Sequence, residues 1–335
     1  MLKIAVLGCG RIGRMHAENI ARHPRAELAG VYDVFEPAAA ELAEKLGANR
    51  FASAEAVFAS DAVDAVLIAT STPTHSDFIE QAVAARKPVL CEKPIDLSLA
   101  RVEACAKAIA GTDVPIMLGF VRRFDAGHRA LRDAVRAGRI GTLHQVAITS
   151  RDPDLAPESY IAESGGIFRD MTIHDFDMAR FVLDEDITEV TAMGSRFVAP
   201  EMMAKYDDYD TITVTLKTAS GKQAVITNSR RAVYGYDQRV EAFGDAGMAL
   251  SDNCRLNNMQ LSAADYTGQG AALQNFFIDR YDAAFAAEID AFVDAVENGQ
   301  RPEVGFEDGR QALLLAEAAV LSVAEGRTVH TSELG

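Results

Sequence analysis

The sequence predicts two α/β domains in succession, the first on a parallel sheet with helices on both faces, the second on a largely antiparallel sheet. Three observations carry this. From residue 2 to 118, short and almost wholly apolar runs alternate with longer helical patterns, as βαβ units do. Beyond residue 119, extended segments rich in β-branched residues follow one another instead. And a chain of 335 residues exceeds the roughly 250–300 that one hydrophobic core usually organises.

In chain order, strands are expected at residues 4–7, 28–32, 65–69, 89–91 and 116–118, apolar throughout because helices cover both faces of such a sheet. Helices fall between them at residues 11–22, 37–46, 75–85 and 99–109, the last with Ser98 as its N-cap. After the basic stretch Phe120-Val121-Arg122-Arg123-Phe124 a helix runs to Ala137 and stops at Gly138. Extended segments then occupy residues 144–150, 189–198, 211–218, 223–229 and 239–243, with Ser220-Gly221 as a hairpin turn. Helices near residues 283–297 and 307–325 close the chain. No repeat or long linker is present, so the domains divide as 1–120 and 121–335 across a tight crossover near Gly119.

Composition excludes several classes of function. Acidic residues outnumber basic ones 49 to 33, for a net charge of −16, which disfavours nucleic acid and anionic membranes as partners. Cys9, Cys91, Cys105 and Cys254 show neither paired nor metal-ligand spacing, so no metal site is implied and a reducing compartment suits the chain. The N-terminus enters a strand directly, and no run approaches the ~18 apolar residues of a membrane span. A cytoplasmic protein is the expectation.

The chemistry begins at Gly8-Cys9-Gly10-Arg11-Ile12-Gly13, a G-x-G-x-x-G run that follows a strand and opens a helix. Its first glycine permits a tight turn, its second lets backbone approach a pyrophosphate, and its third lets helix and strand pack closely. Phosphates would rest on the helix N-terminus, where unpaired N–H groups favour negative charge. Asp33, 20 residues beyond Gly13, stands where a carboxylate accepts hydrogen bonds from a ribose diol, which selects NAD over NADP. Two further segments end later strands: Thr70-Ser71-Thr72-Pro73-Thr74-His75 and Glu92-Lys93-Pro94. Ligands bind at that edge of open α/β sheets, which makes Thr70, Ser71, Thr72, His75, Glu92 and Lys93 candidates for cofactor contact.

Residues 165–181, GGIFRDMTIHDFDMARF, are expected to form one amphipathic helix. On it Asp170 and His174 are i,i+4 neighbours and Asp177 continues their face. A carboxylate beside an imidazole is a suitable general base near neutral pH, although such a pair is as compatible with a surface ion pair or a buried structural histidine.

Taken together, the glycine run, Glu92-Lys93-Pro94, Gly119-Phe120-Val121-Arg122-Arg123-Phe124, Gly165-Gly166 with Asp170 and His174, and Tyr234-Gly235-Tyr236-Asp237-Gln238-Arg239 resemble the glucose-fructose oxidoreductase/inositol dehydrogenase/rhizopine catabolism family, and within it bacterial inositol 2-dehydrogenases. The resemblance spans nearly the whole chain. It implies an α/β Rossmann domain plus an α/β domain with an open, mostly antiparallel sheet whose outer face buries a dimer or tetramer interface. It further implies a catalytic set of Lys93, Asp170 and His174. His174 would take the hydroxyl proton while hydride leaves the same carbon for NAD, Lys93 would polarise the developing alkoxide, and Asp170 would orient the other two. Arg122, Asp152, Asp177, Tyr234, Tyr236 and Tyr281 match substrate-region positions for a cyclic polyol.

One stretch departs from the pattern. Ser150-Arg151-Asp152-Pro153 stands where inositol dehydrogenases often read His-Arg-Asn-Pro. That alters the hydrogen-bonding groups offered to ring hydroxyls and leaves the identity of the polyol open. Three readings follow: an NAD-dependent inositol 2-dehydrogenase, an NAD(P)-dependent dehydrogenase of another inositol isomer or a pyranose, and a dinucleotide-binding sensor without catalysis. Lys93, Asp170 and His174 argue against the sensor, since a pure binder needs none of them.

Overall fold

The apolar runs of the first half become strands of one parallel sheet. In the computed structural model, which describes residues 1–334, the order is β1 (Leu2–Leu7), α1 (Arg11–Arg22), β2 (Ala26–Tyr32), α2 (Glu36–Leu46), β3 (Asn49–Arg50), α3 (Ala54–Phe58), β4 (Ala65–Ile68), α4 (His75–Ala84), β5 (Val89–Glu92), α5 (Leu99–Ala108) and β6 (Ile116–Gly119). The strands lie as β3-β2-β1-β4-β5-β6, every neighbouring pair parallel. Order reverses between β1 and β4, which marks the carboxyl ends of these strands as the ligand edge. The centres of β1 and β4 are fully buried, as their sequences require. Ser98 caps α5 by accepting from the Arg101 N–H. The two-residue β3 and the five-residue α3 escape sequence reading because neither is long enough to show a period.

The second half continues α6 (Ala126–Arg136), β7 (Leu143–Arg151), α7 (Glu158–Ile161), α8 (Ile167–Asp170), α9 (Ile173–Leu183), β8 (Ile187–Ser195), α10 (Pro200–Lys205), β9 (Thr211–Thr218), β10 (Gln223–Ser229), β11 (Asp237–Gly244), β12 (Gly247–Ser251), the short pair β13 (Gln260–Leu261) and β14 (Gln269–Gly270), α11 (Phe277–Glu297), α12 (Phe306–Glu325) and β15 (Val329–His330). Seven of these strands form a sheet ordered β12-β11-β7-β10-β9-β8-β15, antiparallel except where β10 runs parallel to β7. Alternation is clean: Val146, Ile148, Val214, Leu216, Ala224, Ile226, Val240 and Ala242 are buried on one face. The opposite face leaves Met193, Phe243, Met248 and Leu250 exposed, with Phe243 paired to Met248.

Two expectations change. The chain divides into two compact units, Met1–Phe124 with Ala283–Leu313, and Asp125–Asp282 with the residues from Leu314. Residues 283–313 therefore join the first unit rather than remaining in a domain of 121–335. The reason is local: the Leu118 N–H donates to the Val304 carbonyl at 3.1 Å, Arg123 pairs with Asp308 at 2.8 Å, and Gly309 lies so close to Ile95 that a Cβ there would sit 2.8 Å from its Cδ1.

The second change is that residues 165–181 are not one helix. The Thr172 N–H and hydroxyl both return to the Ile167 carbonyl, at 2.9 and 3.2 Å, in a turn wider than the α-helical one. The single proton of that hydroxyl is shared with Asn228 Oδ1, the nearer acceptor at 2.6 Å. The wide turn falls between α8, which carries Asp170, and α9, which carries His174 and Asp177, with Met171 and Thr172 both in the right-handed helical region.

Candidate functional site

At the carboxyl edge of the first sheet, the glycine run fits a bound dinucleotide. Gly8 has φ +97°, and a Cβ on it would meet the Ala69 carbonyl oxygen at 2.3 Å. A Cβ on Gly13 would meet the Gly8 oxygen at 1.9 Å, which is why strand and helix approach so closely. Around Gly10 there is instead open space, with nothing within 4 Å of a Cβ position. The α1 N-terminus beside it has no side-chain cap, so its first-turn N–H groups face that space, in the loop that carries Arg11 and Ile12. Asp33 is held by the N–H groups of Cys9 at 2.6 Å and Phe35 at 2.8 Å, a carboxylate fixed beyond β2 where a ribose diol would be met. NAD should therefore be used with a catalytic efficiency on the order of 100-fold above NADP, whose 2′-phosphate Asp33 repels; steady-state kinetics with both cofactors measure this.

Cys9 lies inside this loop, but burial, reinforced by Asp33, pushes its thiol up to about 12. Burial likewise raises Cys91 and Cys105, while Cys254 is exposed. Iodoacetamide treatment of the native protein should label Cys254 alone by peptide mass spectrometry.

After β4, the Thr70 and Thr74 hydroxyls meet at 2.6 Å, and Thr74 donates to the Ser71 carbonyl at 2.8 Å. This closes the turn Thr72–Thr74. His75 is buried, with Nδ1 2.8 Å from the Pro94 carbonyl and Nε2 3.0 Å from that of Thr70. It ties the two loops together, and burial lowers its pKa. Lys93 follows β5 and precedes a cis peptide to Pro94. The Glu92 carboxylate accepts from the Lys93 backbone N–H at 3.3 Å and meets His16 Nε2 at 2.8 Å.

In the second unit Asp170 is gripped from two sides. The Tyr160 hydroxyl donates to Oδ1 at 2.7 Å, and Arg230 Nη1 donates to Oδ2 at 3.2 Å. Arg230 is itself buried and reaches Asp208 at 3.1 Å, while Asp208 caps α8 by accepting from the Ile167 N–H at 2.8 Å. Sequence reading missed Tyr160, Arg230 and Asp208; only Arg230 left a signal, the polar run Asn228-Ser229-Arg230-Arg231 closing a strand of alternating burial. It also missed Asp175, which is fully buried and accepts from Ser150 Oγ at 2.6 Å and Asn228 Nδ2 at 2.8 Å. Ser150 therefore spends its hydroxyl inside the domain, on Asp175 and Gln238. Of the departure from the His-Arg-Asn-Pro pattern, Asp152 remains to bear on a ligand.

The other substrate candidates divide. Asp177, Arg122, Tyr236 and Tyr281 are buried, the two tyrosine rings edge to face at 6.2 Å. Tyr234 is half exposed, and its hydroxyl donates to Asp237 and accepts from Arg151, both at 2.6 Å. It lines a cavity of about 480 Å³ with Asp237, Arg239, Asp252, Asn253 and Arg255, a lining that contains none of Asp170, His174 and Asp177.

Comparison with known proteins agrees with the fold. Residues 2–120 match the family model described as the oxidoreductase family with an NAD-binding Rossmann fold, and residues 128–250 match the GFO/IDH/MocA C-terminal domain. The chain is 46% identical over 329 residues to an inositol 2-dehydrogenase of Rhizobium meliloti, covering 98% of each. A crystal structure of a myo-inositol dehydrogenase from Corynebacterium glutamicum superposes with a TM-score of 0.95 at 47% identity, covering 98% of both chains. That of scyllo-inositol dehydrogenase from Lactobacillus casei, with bound NAD(H) and scyllo-inositol, gives 0.90 at 28% identity over 99% of both. Two family models that together span most of the chain, on a sheet order and glycine cradle that fit them, place this protein in the GFO/IDH/MocA oxidoreductase family.

Proposed function

We propose that the protein oxidises a ring hydroxyl of a cyclic polyol with NAD, acting as an inositol 2-dehydrogenase that converts myo-inositol to the 2-keto compound. The observation that carries this is 46% and 44% identity, over nearly the full length, to inositol 2-dehydrogenases in a chain that carries Lys93, Asp170 and His174. Gly8, Gly10, Arg11, Ile12, Gly13, Asp33, Thr70, Ser71, Thr72, His75, Glu92 and Lys93 would hold the cofactor. Bound there, NAD supplies the hydride acceptor. The chain's own residues supply the rest. Hydride departs readily only from a carbon whose oxygen is becoming an alkoxide, so a base must take the hydroxyl proton and a cation must stabilise the oxygen. His174 is the base, through a ring nitrogen; the Lys93 ammonium is the cation. Asp170, fixed by Tyr160 and Arg230, is an anchored acceptor that orients them.

Arg122, Asp152, Asp177, Tyr234, Tyr236 and Tyr281 are the proposed polyol contacts, with Asp152 the position at which isomers are told apart. The exposed apolar residues Met193, Phe243, Met248 and Leu250 on one sheet face support a homodimer or homotetramer formed through that face, to be read by sedimentation velocity. Free cysteines favour a cytoplasmic, reducing setting, and no helix among the described residues is long and apolar enough to cross a membrane. The test is a panel of inositol isomers and aldoses with NAD, followed by reduced-nicotinamide absorbance. Turnover of myo-inositol above the aldoses is the expected result. Tight NAD binding with no turnover of any member would favour the sensor reading instead.

A further inference from the structure

Glu288 is a carboxyl group with no ordinary reason to be where it is. It lies on the part of α11 that belongs to the first unit, wholly buried, and among the described residues no donor reaches either of its oxygens. Two polar side chains share its surroundings: a Glu92 oxygen and a His16 ring nitrogen lie within 4.8 Å of it and of each other. His16, on α1, meets Glu92 Oε1 through Nε2 at 2.8 Å, and its ring stands edge-on to Phe285, one turn before Glu288, at 5.6 Å. Two ionised carboxylates at this spacing, out of water, repel each other and lack solvation. Burial first, and the Glu92 charge second, push the Glu288 carboxyl well above the usual range, so it keeps its proton. A neutral carboxyl has one O–H to give, and the carboxylate beside it is Glu92.

Glu92 is at the same time the residue that precedes Lys93. Its carboxylate accepts from the Lys93 backbone N–H at 3.3 Å and sits against Gly119, where a Cβ would come 3.0 Å from Oε2. We propose that Glu288 is a positioning residue for Lys93: as a neutral acid that keeps its proton it directs its O–H toward the Glu92 carboxylate, and that interaction, with the bonds from His16 and the Lys93 N–H, locks the turn from which the Lys93 side chain departs. No chemistry passes through Glu288 itself. The inference rests on the role of Lys93 proposed above; the protonation of Glu288 does not.

Infrared difference spectra between the protein and Glu288→Gln, recorded without substrate, test the proton directly. The expected result is loss of a protonated-carboxyl C=O band at neutral pH. Loss of a carboxylate band instead, or a stoichiometric divalent cation found in the purified protein by elemental analysis, overturns the proposal. In turnover, Glu288→Ala should lower kcat on the order of 100-fold with KM for NAD unchanged, the cost of a misplaced catalytic group. Glu288→Gln, whose amide N–H replaces the O–H, should restore most of it. Undiminished kcat in Glu288→Ala overturns the positioning role, and the infrared comparison, which needs only the near-isosteric variant, decides even where Glu288→Ala fails to fold. A failure of the Lys93 reading is separable: Lys93→Ala would then turn over normally while the infrared band remained.

Discussion

Lys93→Ala should reduce kcat with inositol by about three orders of magnitude while leaving the dissociation constant for NAD within about threefold, because the ammonium acts on charge that develops only during the reaction. Most of the dinucleotide cradle lies elsewhere, in the Gly8 turn, the α1 N-terminus and the Asp33 carboxylate, so losing the one contact from Lys93 costs little NAD affinity. Lys93→Arg keeps the charge but spreads it over a planar fork, so it should recover little. Stopped-flow kinetics for turnover and fluorescence titration for NAD separate the two quantities. Normal turnover in Lys93→Ala would remove lysine from the chemistry and leave it a loop residue.

His174→Gln should have an effect of similar size, about 10²–10⁴-fold on kcat, since the amide fills the space and hydrogen-bonds without accepting a proton at neutral pH. Its effect should shrink at alkaline pH, where solvent removes the hydroxyl proton more readily. The double variant Lys93→Ala/His174→Gln should be little slower than either single one, because residues acting as a unit are strongly non-additive. Full additivity would mean that the two act in separate steps.

Most of the first unit was legible in the sequence, because its evidence is local. Apolar runs bounded by turns mark parallel strands, and Gly8, Gly10, Gly13 and Asp33 keep a spacing imposed by one ligand. Strands β9 and β10 were read to the residue, since β-branched alternation ends at recognisable turns. What escaped depends on partners distant in sequence. Nothing near residue 172 reveals that Asn228 takes its hydroxyl and helps break the expected helix. Nothing near Asp170 names Arg230, nor does Glu92 announce Glu288. Residues 283–313 read as one end of a second domain because their pattern is helical wherever they pack, and only the contacts of Val304, Asp308 and Gly309 show which core they complete. Ser150 is the instructive reversal: a departure from the expected pattern pointed to the substrate, whereas its hydroxyl serves Asp175 inside the fold.

As an inositol 2-dehydrogenase this chain removes hydride and proton from one carbinol of a cyclic polyol. Turnover of myo-inositol deuterated at the 2-position, compared with unlabelled substrate, addresses it most directly. A primary kinetic isotope effect under single-turnover conditions, with the deuterium recovered in the reduced nicotinamide, is the predicted result. Reduced nicotinamide that carries no label, or none formed at all while NAD binds tightly, would contradict it.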